Sequence, residues 1–281
     1  MAATASDVAA QAWDDAAQGW SRQGDLIRVW LHEATAAMLD AAQIGPGDRV
    51  LDVAAGAGDQ TLDVARRVGP SGLVVASDVS PRILALAADN LQRAGLKQVR
   101  TLQADAQSLQ LDGAEFDAAV CRLGLMFCTQ PLLALQQIHH ALVPGGRFSA
   151  LVFGAPAANP CITIAMRTAL RHAGLAPGDP GAPGSLLSLG RPGLLTGLLQ
   201  RSGFGEVSVR ALSAPFRLAR CADYVAFVRS AGAPVIETLK RLDERARDAA
   251  WADIAAQLDR FSTPDGWVGP NELLLCSAVK P

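Results

Sequence analysis

The sequence predicts an α/β fold: a doubly wound, mostly parallel sheet with helices on both faces. Three observations predict it. Short apolar runs at 49–54 (RVLDVA), 72–77 (GLVVAS) and 116–121 (FDAAVC) have the composition of strands buried on both sides. Amphipathic stretches of helical period separate them, and right-handed crossovers through such stretches build parallel sheets. The 281 residues are 50% hydrophobic and 19% charged, enough apolar surface for one large core without disulfides or a structural metal.

The elements follow in order. Residues 26–42 form a helix stopped by Gly45-Pro46-Gly47. The first strand covers 49–54 and the second 72–77. Ser80 then caps a helix with Pro81 at its first position. Ile83, Leu84, Ala87 and Leu91 share one face of that helix, and Gly95 ends it. A weaker strand is expected at 99–103 and a clear one at 116–121. Pro131 opens a helix with Leu132, Leu135, Ile138 and Leu142 on one side; Pro144-Gly145-Gly146 is expected to end it, before a strand at 147–153. The rhythm then breaks. An amphipathic segment at 161–173 precedes a Pro/Gly stretch at 176–185 that cannot be regular. A helix at 192–200, a strand at 206–212, a helical pattern over 216–262 and a closing strand at 272–279 complete the chain. The expected division is an N-terminal helical lid (1–45), an α/β core (46–154), a cap insertion (155–190) and the rest of the core (191–281), interrupted by a helical insertion at 216–265.

Charge narrows the partners. Lys plus Arg is 25 and Asp plus Glu 27, a net charge of −2, whereas nucleic acid calls for a basic face. A small molecule is the expected partner, no nucleic acid, and a homodimer is compatible. Five cysteines at 121, 128, 161, 221 and 276 show no C-x-x-C spacing, which suits reduced thiols in the cytoplasm. With four histidines they form no local ligand cluster, so no metal is expected. The opening MAATASDVAAQAWDD lacks a cationic leader pattern, and no run approaches the ~18 apolar residues of a membrane span.

The strongest signal is LDVAAGAGDQT at 51–61: a buried strand, a turn of small residues, then a helix. Gly56 and Gly58 permit a backbone path and a close approach that a side chain would block. Open α/β sheets bind ligands at such strand ends. The dinucleotide pattern G-x-G-x-x-G fails here, because Thr61 stands at its last position. No Lys-Ser/Thr pair follows, so a phosphate-binding P-loop is also excluded. Asp52 and Asp59 flank the turn and would repel a pyrophosphate; they favour a cationic or hydroxyl-bearing ligand. Asp78, at the second strand end, can accept both hydroxyls of a ribose. Asp105, after the third strand, can accept from an adenine amino group with the Ala106 amide nearby.

These blocks, with ASDVSP, FDAAVCRLGLMF and HHALVPGGRF, resemble the class I S-adenosylmethionine-dependent methyltransferases. Among these the likeness is greatest to the small-molecule group that includes the ubiquinone/menaquinone C-methyltransferases. It covers about residues 48–150. It implies a Rossmann-like sheet of seven strands with helical caps, the cofactor S-adenosylmethionine, its product S-adenosylhomocysteine, and methyl transfer to a small acceptor. The family's glycine-rich loop falls on Asp52, Ala54, Gly56 and Gly58, with Ala54 in place of the first glycine. Its ribose acid falls on Asp78 and its adenine-side acid on Asp105. The cofactor-binding set implied is Asp52, Ala54, Gly56, Gly58, Gln60, Asp78, Val79, Asp105, Ala106, Cys121 and Arg122.

Other residues have two readings. Trp13 and Trp20, seven apart, either staple a helix to the core or roof the cofactor. His139 and His140 sit in a helix away from the strand ends and read as structural. His32 and His172 are the candidate general bases. Ile162, Ile164, Met166, Leu170, Phe216, Tyr224 and Phe227 are either acceptor walls or the core of the cap. The rival functions are an NAD-dependent oxidoreductase, a non-catalytic nucleoside-binding module and an RNA methyltransferase.

Overall fold

The computed structural model describes residues 5–111 and 115–281. Two helices lead, α1 (Ala5–Arg22) and α2 (Gly24–Ala41). Strand and helix then alternate: β1 (Arg49–Val53), α3 (Asp59–Val68), β2 (Leu73–Asp78), α4 (Pro81–Arg93), β3 (Val99–Gln103), β4 (Phe116–Arg122), α5 (Pro131–Ala141) and β5 (Leu142–Phe153). Next come α6 (Pro160–His172), α7 (Leu194–Arg201), β6 (Gly205–Ser213), β7 (Phe216–Leu218), α8 (Cys221–Ala231), α9 (Ala233–Leu239) and α10 (Glu244–Leu258). The chain closes with β8 (Ser262–Thr263), β9 (Gly266–Gly269) and β10 (Glu272–Val279).

Seven strands form one sheet in the order β3-β2-β1-β4-β5-β10-β6. β1 is parallel to β2 and β4, and β10 is antiparallel to β5 and β6. The strand order reverses beside β1, so the ends of β1 and β4 open a crevice. The apolar runs of β1 and β4 occupy the centre of the sheet, with Val50, Leu51, Ala119 and Val120 fully buried. Leu31, Met38 and Leu39 of α2 enter the same core, so α2 belongs structurally to the sheet rather than to a detached lid.

Two expectations are corrected. Pro144-Gly145-Gly146 does not separate α5 from a later strand; β5 starts at Leu142 and runs through it. Its backbone is held there by the chain end: Gly145 N–H donates to Lys280 O and Lys280 N–H to Gly146 O, each at 2.8 Å. Nor is 216–262 wholly helical. β7 pairs with β9, and β9 with β8, in a second sheet of three short strands. Trp267 of β9 is fully buried, donates Nε1–H to Leu258 O at 2.8 Å and stacks on Tyr224 at 4.8 Å between centroids. Strands of two to four residues are too short to show alternation beside three amphipathic helices.

α4 begins as its sequence signature requires. Ser80 is extended, and its hydroxyl accepts from Ile83 N–H at 3.1 Å, with Pro81 following. That hydroxyl also bonds the Asp14 carboxylate of α1, which accepts from Arg82 N–H as well, at 3.2 Å. Ser80→Ala removes both links. It is expected to lower stability by about 1 kcal/mol in urea unfolding; an unchanged midpoint would remove the cap from the account. On its other side α1 meets α8 at Gly19, whose carbonyl accepts from Ser230 Oγ at 3.3 Å. α1 thus spans from α4 to α8 across the crevice.

Candidate active site

β1 delivers the chain into a turn of unusual backbone. Ala54, Gly56 and Gly58 all have positive φ, at 55°, 58° and 88°. An L-residue at position 54 costs about 1 kcal/mol there, and the packing accommodates it. A Cβ on Gly124 would lie 2.3 Å from the Ala54 Cβ, so the methyl group at 54 requires a glycine opposite. Gly58 serves a different contact, since a Cβ there would press on Ala87 of α4 at 3.3 Å. At Gly56 a Cβ would meet nothing within 4 Å, so its face borders open space.

Asp52 lies beneath the turn, fully buried. Its carboxylate accepts from Thr61 Oγ1 at 2.6 Å and from Gln60 Nε2 at 3.1 Å, tying β1 to the first turn of α3. Burial pushes Asp52 up to about 6, against the lowering effect of these two bonds and of Arg122. Asp78, at the end of β2, accepts from Gly56 N–H and Ser80 N–H, both at 3.0 Å. Burial raises it too, opposed by those backbone bonds, and the Asp14 carboxylate nearby adds to the rise.

The strand ends enclose a cavity. Its floor is Ala54, Gly56 and Ala57; one wall carries Asp78, Val79, Asp105 and Ala106, another Cys121 and Arg122. Trp13, Ala17 and Trp20 of α1 cover it, with Ile27 and Leu31 of α2 and with Leu125 and Phe127 after β4. Asp59 also lines it and is paired with Arg28 of α2 at 2.8 Å. Asp105 accepts from Gln107 N–H at 2.8 Å and from its side-chain amide at 3.2 Å. Arg122 donates to Thr35 Oγ1 at 3.1 Å. Burial pulls Arg122 down, and Asp59 and Asp52 oppose that. Asp59, Asp78 and Asp105 face Arg122 as the cavity's cation, an arrangement hostile to a pyrophosphate.

The structure brings nine of the eleven residues implied for the cofactor onto the cavity wall: Ala54, Gly56, Gln60, Asp78, Val79, Asp105, Ala106, Cys121 and Arg122. Asp52 and Gly58 lie behind it and shape the turn. The two histidines lie elsewhere. His32 is exposed on α2, one residue past the buried Leu31 and therefore about 100° around the helix. His172 ends α6, its Nε2 2.8 Å from Asp253 Oδ2 of α10, and Arg171 binds the same carboxylate. Neither lines the cavity. The seven proposed walls of the cap do not line it either; Ile164, Phe216, Tyr224 and Phe227 are buried in the core. Sequence reasoning missed Arg28, Gln107 and Phe127: Phe127 closes the block FDAAVCRLGLMF, but only folding brings it and Gln107 onto the cavity wall and Arg28 to Asp59. Among the described residues no cluster of three or more His, Cys, Asp or Glu is placed to hold a metal. No helix among them is long and apolar enough to cross a membrane.

Comparison with known proteins agrees with this geometry. Residues 50–146 match the family model described as a methyltransferase domain. The ubiquinone/menaquinone biosynthesis C-methyltransferase UbiE of Syntrophotalea carbinolica is 34% identical over 124 residues, 41% of this chain and 52% of that protein. The chain thus spans about half the length of that curated relative. Among solved structures, the YcgJ protein of Bacillus subtilis superposes with a TM-score of 0.60 at 20% identity, over 89% of this chain and 98% of that one. The [4+2]-cyclase SpnF superposes with a TM-score of 0.55 at 21% identity, over 89% and 81% of the two chains.

Proposed function

We propose that this chain, whose residues 50–146 match the family model described as a methyltransferase domain, transfers a methyl group from S-adenosylmethionine to a small-molecule acceptor. One observation carries the reading: the Asp78 carboxylate stands on the cavity wall, held to Gly56 N–H, beside the open space over the Gly56 backbone. A ribose seated there can give its hydroxyls to Asp78, and the bare backbone lets it approach. Asp105 and the Ala106 amide would take the adenine edge. Arg122 would face the carboxylate of the amino-acid end, with Cys121 beside the sulfur. The bound cofactor supplies an electrophilic methyl on a sulfonium, which needs no further activation.

The protein's own work is alignment and dryness. α1 and Phe127 exclude water over the crevice, and the sheet ends hold both reactants in line. The acceptor end lies under Trp13, Trp20, Ile27 and Leu31. A small molecule fits this roofed cavity better than a nucleic acid does, and the net charge of −2 agrees. Five free thiols suit a cytoplasmic setting.

Asp78→Ala is expected to weaken S-adenosylmethionine binding by 10- to 100-fold, about 1.5–3 kcal/mol, by calorimetry. Unchanged affinity would remove Asp78 from the site. Transfer of labelled methyl to an acceptor tests the activity itself. Cofactor binding with no label transferred across an acceptor panel would leave a binding module, or a fold used for other chemistry.

A further inference from the structure

α2 turns one stripe of its surface into the core. Ile27, Leu31, Ala34, Thr35, Met38 and Leu39 are its buried residues, recurring at helical spacing. Thr35 is the polar member of that stripe. A hydroxyl among apolar side chains costs stability unless it is hydrogen-bonded, and valine would fill the same place without that cost. The hydroxyl is bonded: Thr35 Oγ1 accepts from Arg122 Nη1 at 3.1 Å.

Arg122 is the last residue of β4 and lines the cavity as its cation. Among the described residues it forms no ion pair. The carboxylates nearest in charge are engaged elsewhere, Asp52 by Thr61 and Gln60, Asp59 by Arg28. A guanidinium is a rigid fork of N–H donors, and Thr35 takes up one of its nitrogens. Arg122 Nε and Nη2 have no hydrogen-bond partner among the described residues, and neither is sealed from open space. They form the edge of the fork that can pair with both oxygens of a carboxylate, and they border the cavity that Arg122 lines.

We propose that Thr35 is a positioning residue: from α2 it fixes the Arg122 fork so that the Nε–Nη2 edge meets the cofactor's carboxylate. This rests on the methyl-transfer reading above, which gives Arg122 that carboxylate, and adds the residue that aims it. Thr35 touches no ligand; it acts through Arg122. A long side chain held at one nitrogen before the ligand arrives has less freedom to lose on binding. Valine at 35 would take away the acceptor and leave Nη1 to seek another, so the fork would turn and its free edge would leave the cavity. The same hydrogen bond ties α2 to the end of β4, so the helix that roofs the cavity also sets its cation.

The test measures calorimetric affinities of the full chain for S-adenosylmethionine and for its decarboxylated form, which keeps the adenosine, the sulfonium and the ammonium. Thr35→Val is expected to weaken the first about tenfold and to leave the second unchanged. Thr35→Ser keeps the hydroxyl and should bind both as the parent chain does. In an Arg122→Met background, Thr35→Val should have no further effect on S-adenosylmethionine. Equal losses for the two compounds would mean that Thr35 only packs. That result, no loss at all, no recovery with serine, or a loss that persists without Arg122 overturns the proposal. The methyl-transfer reading fails separately, when the parent chain binds neither compound.

Discussion

Asp52→Asn is expected to gain on the parent chain in stability by about 2 kcal/mol as pH rises from 4 to 8. The cause is burial, which moves Asp52 from its ordinary 3.8 to about 6. The folded state therefore holds this proton more tightly than the unfolded state. Stability from the protonated form is complete below about 3.8 and is lost as pH rises through about 6. Asparagine cannot ionise, so the difference between the two proteins isolates this one group. It keeps an oxygen for the Thr61 hydroxyl, and Gln60 can turn its own carbonyl towards the new amide. Urea unfolding of both proteins across the range reads the effect. A difference independent of pH would mean that Asp52 is not buried as the structure has it. The carboxylate remains because it fixes the turn beneath the cavity, a site where stability is given up for geometry.

Gly19→Val is expected to reduce methyl transfer by about a hundredfold or more. A Cβ on Gly19 would lie 2.0 Å from the Ser230 carbonyl oxygen. That atom belongs to the backbone of α8 and cannot swing aside, so α1 must move away by about 1 Å or more to reach ordinary contact distance. Trp13 and Trp20 move with it, which opens the cavity and misplaces the acceptor. Among the described residues of α1, Trp20 packs against the edge of the main core and Ala17 is buried outside it, so α1 adds little to the core of the seven-stranded sheet. The variant should still unfold cooperatively while its near-ultraviolet tryptophan signal changes. Unaltered single-turnover transfer of labelled methyl would show that α1 is not the roof.

Much of this was legible in the sequence because each piece is local. Ser80-Pro81 announces the start of α4, and RVLDVA, GLVVAS and FDAAVC announce the central strands through composition alone. The turn from Ala54 to Gly58 was legible because only small residues tolerate its positive φ values. What stayed hidden depends on partners distant in the chain. β7, β8 and β9 exist because Trp30 of α2 stacks on Phe216 at 3.9 Å and Trp267 seats on Tyr224. The continuation of β5 through Pro144-Gly145-Gly146 needs Lys280, more than 130 residues away. His32 and His172 illustrate the converse. Helix phase turns His32 outward, and Asp253 engages His172. The covering of the cavity by α1, through Asp14 on one side and Gly19 on the other, is likewise a matter of packing that spacing alone leaves open.

The central claim is that the cavity over Gly56 is built for a cationic adenosyl sulfur compound and rejects phosphate-bearing nucleotides. Its most direct test is parallel calorimetric titration of the full chain with S-adenosylmethionine, S-adenosylhomocysteine and NAD. Saturable one-site binding of the first two and none of NAD is the expected result, because Asp59, Asp78 and Asp105 would oppose its pyrophosphate. Tight binding of NAD with no response to the two sulfur compounds would contradict it.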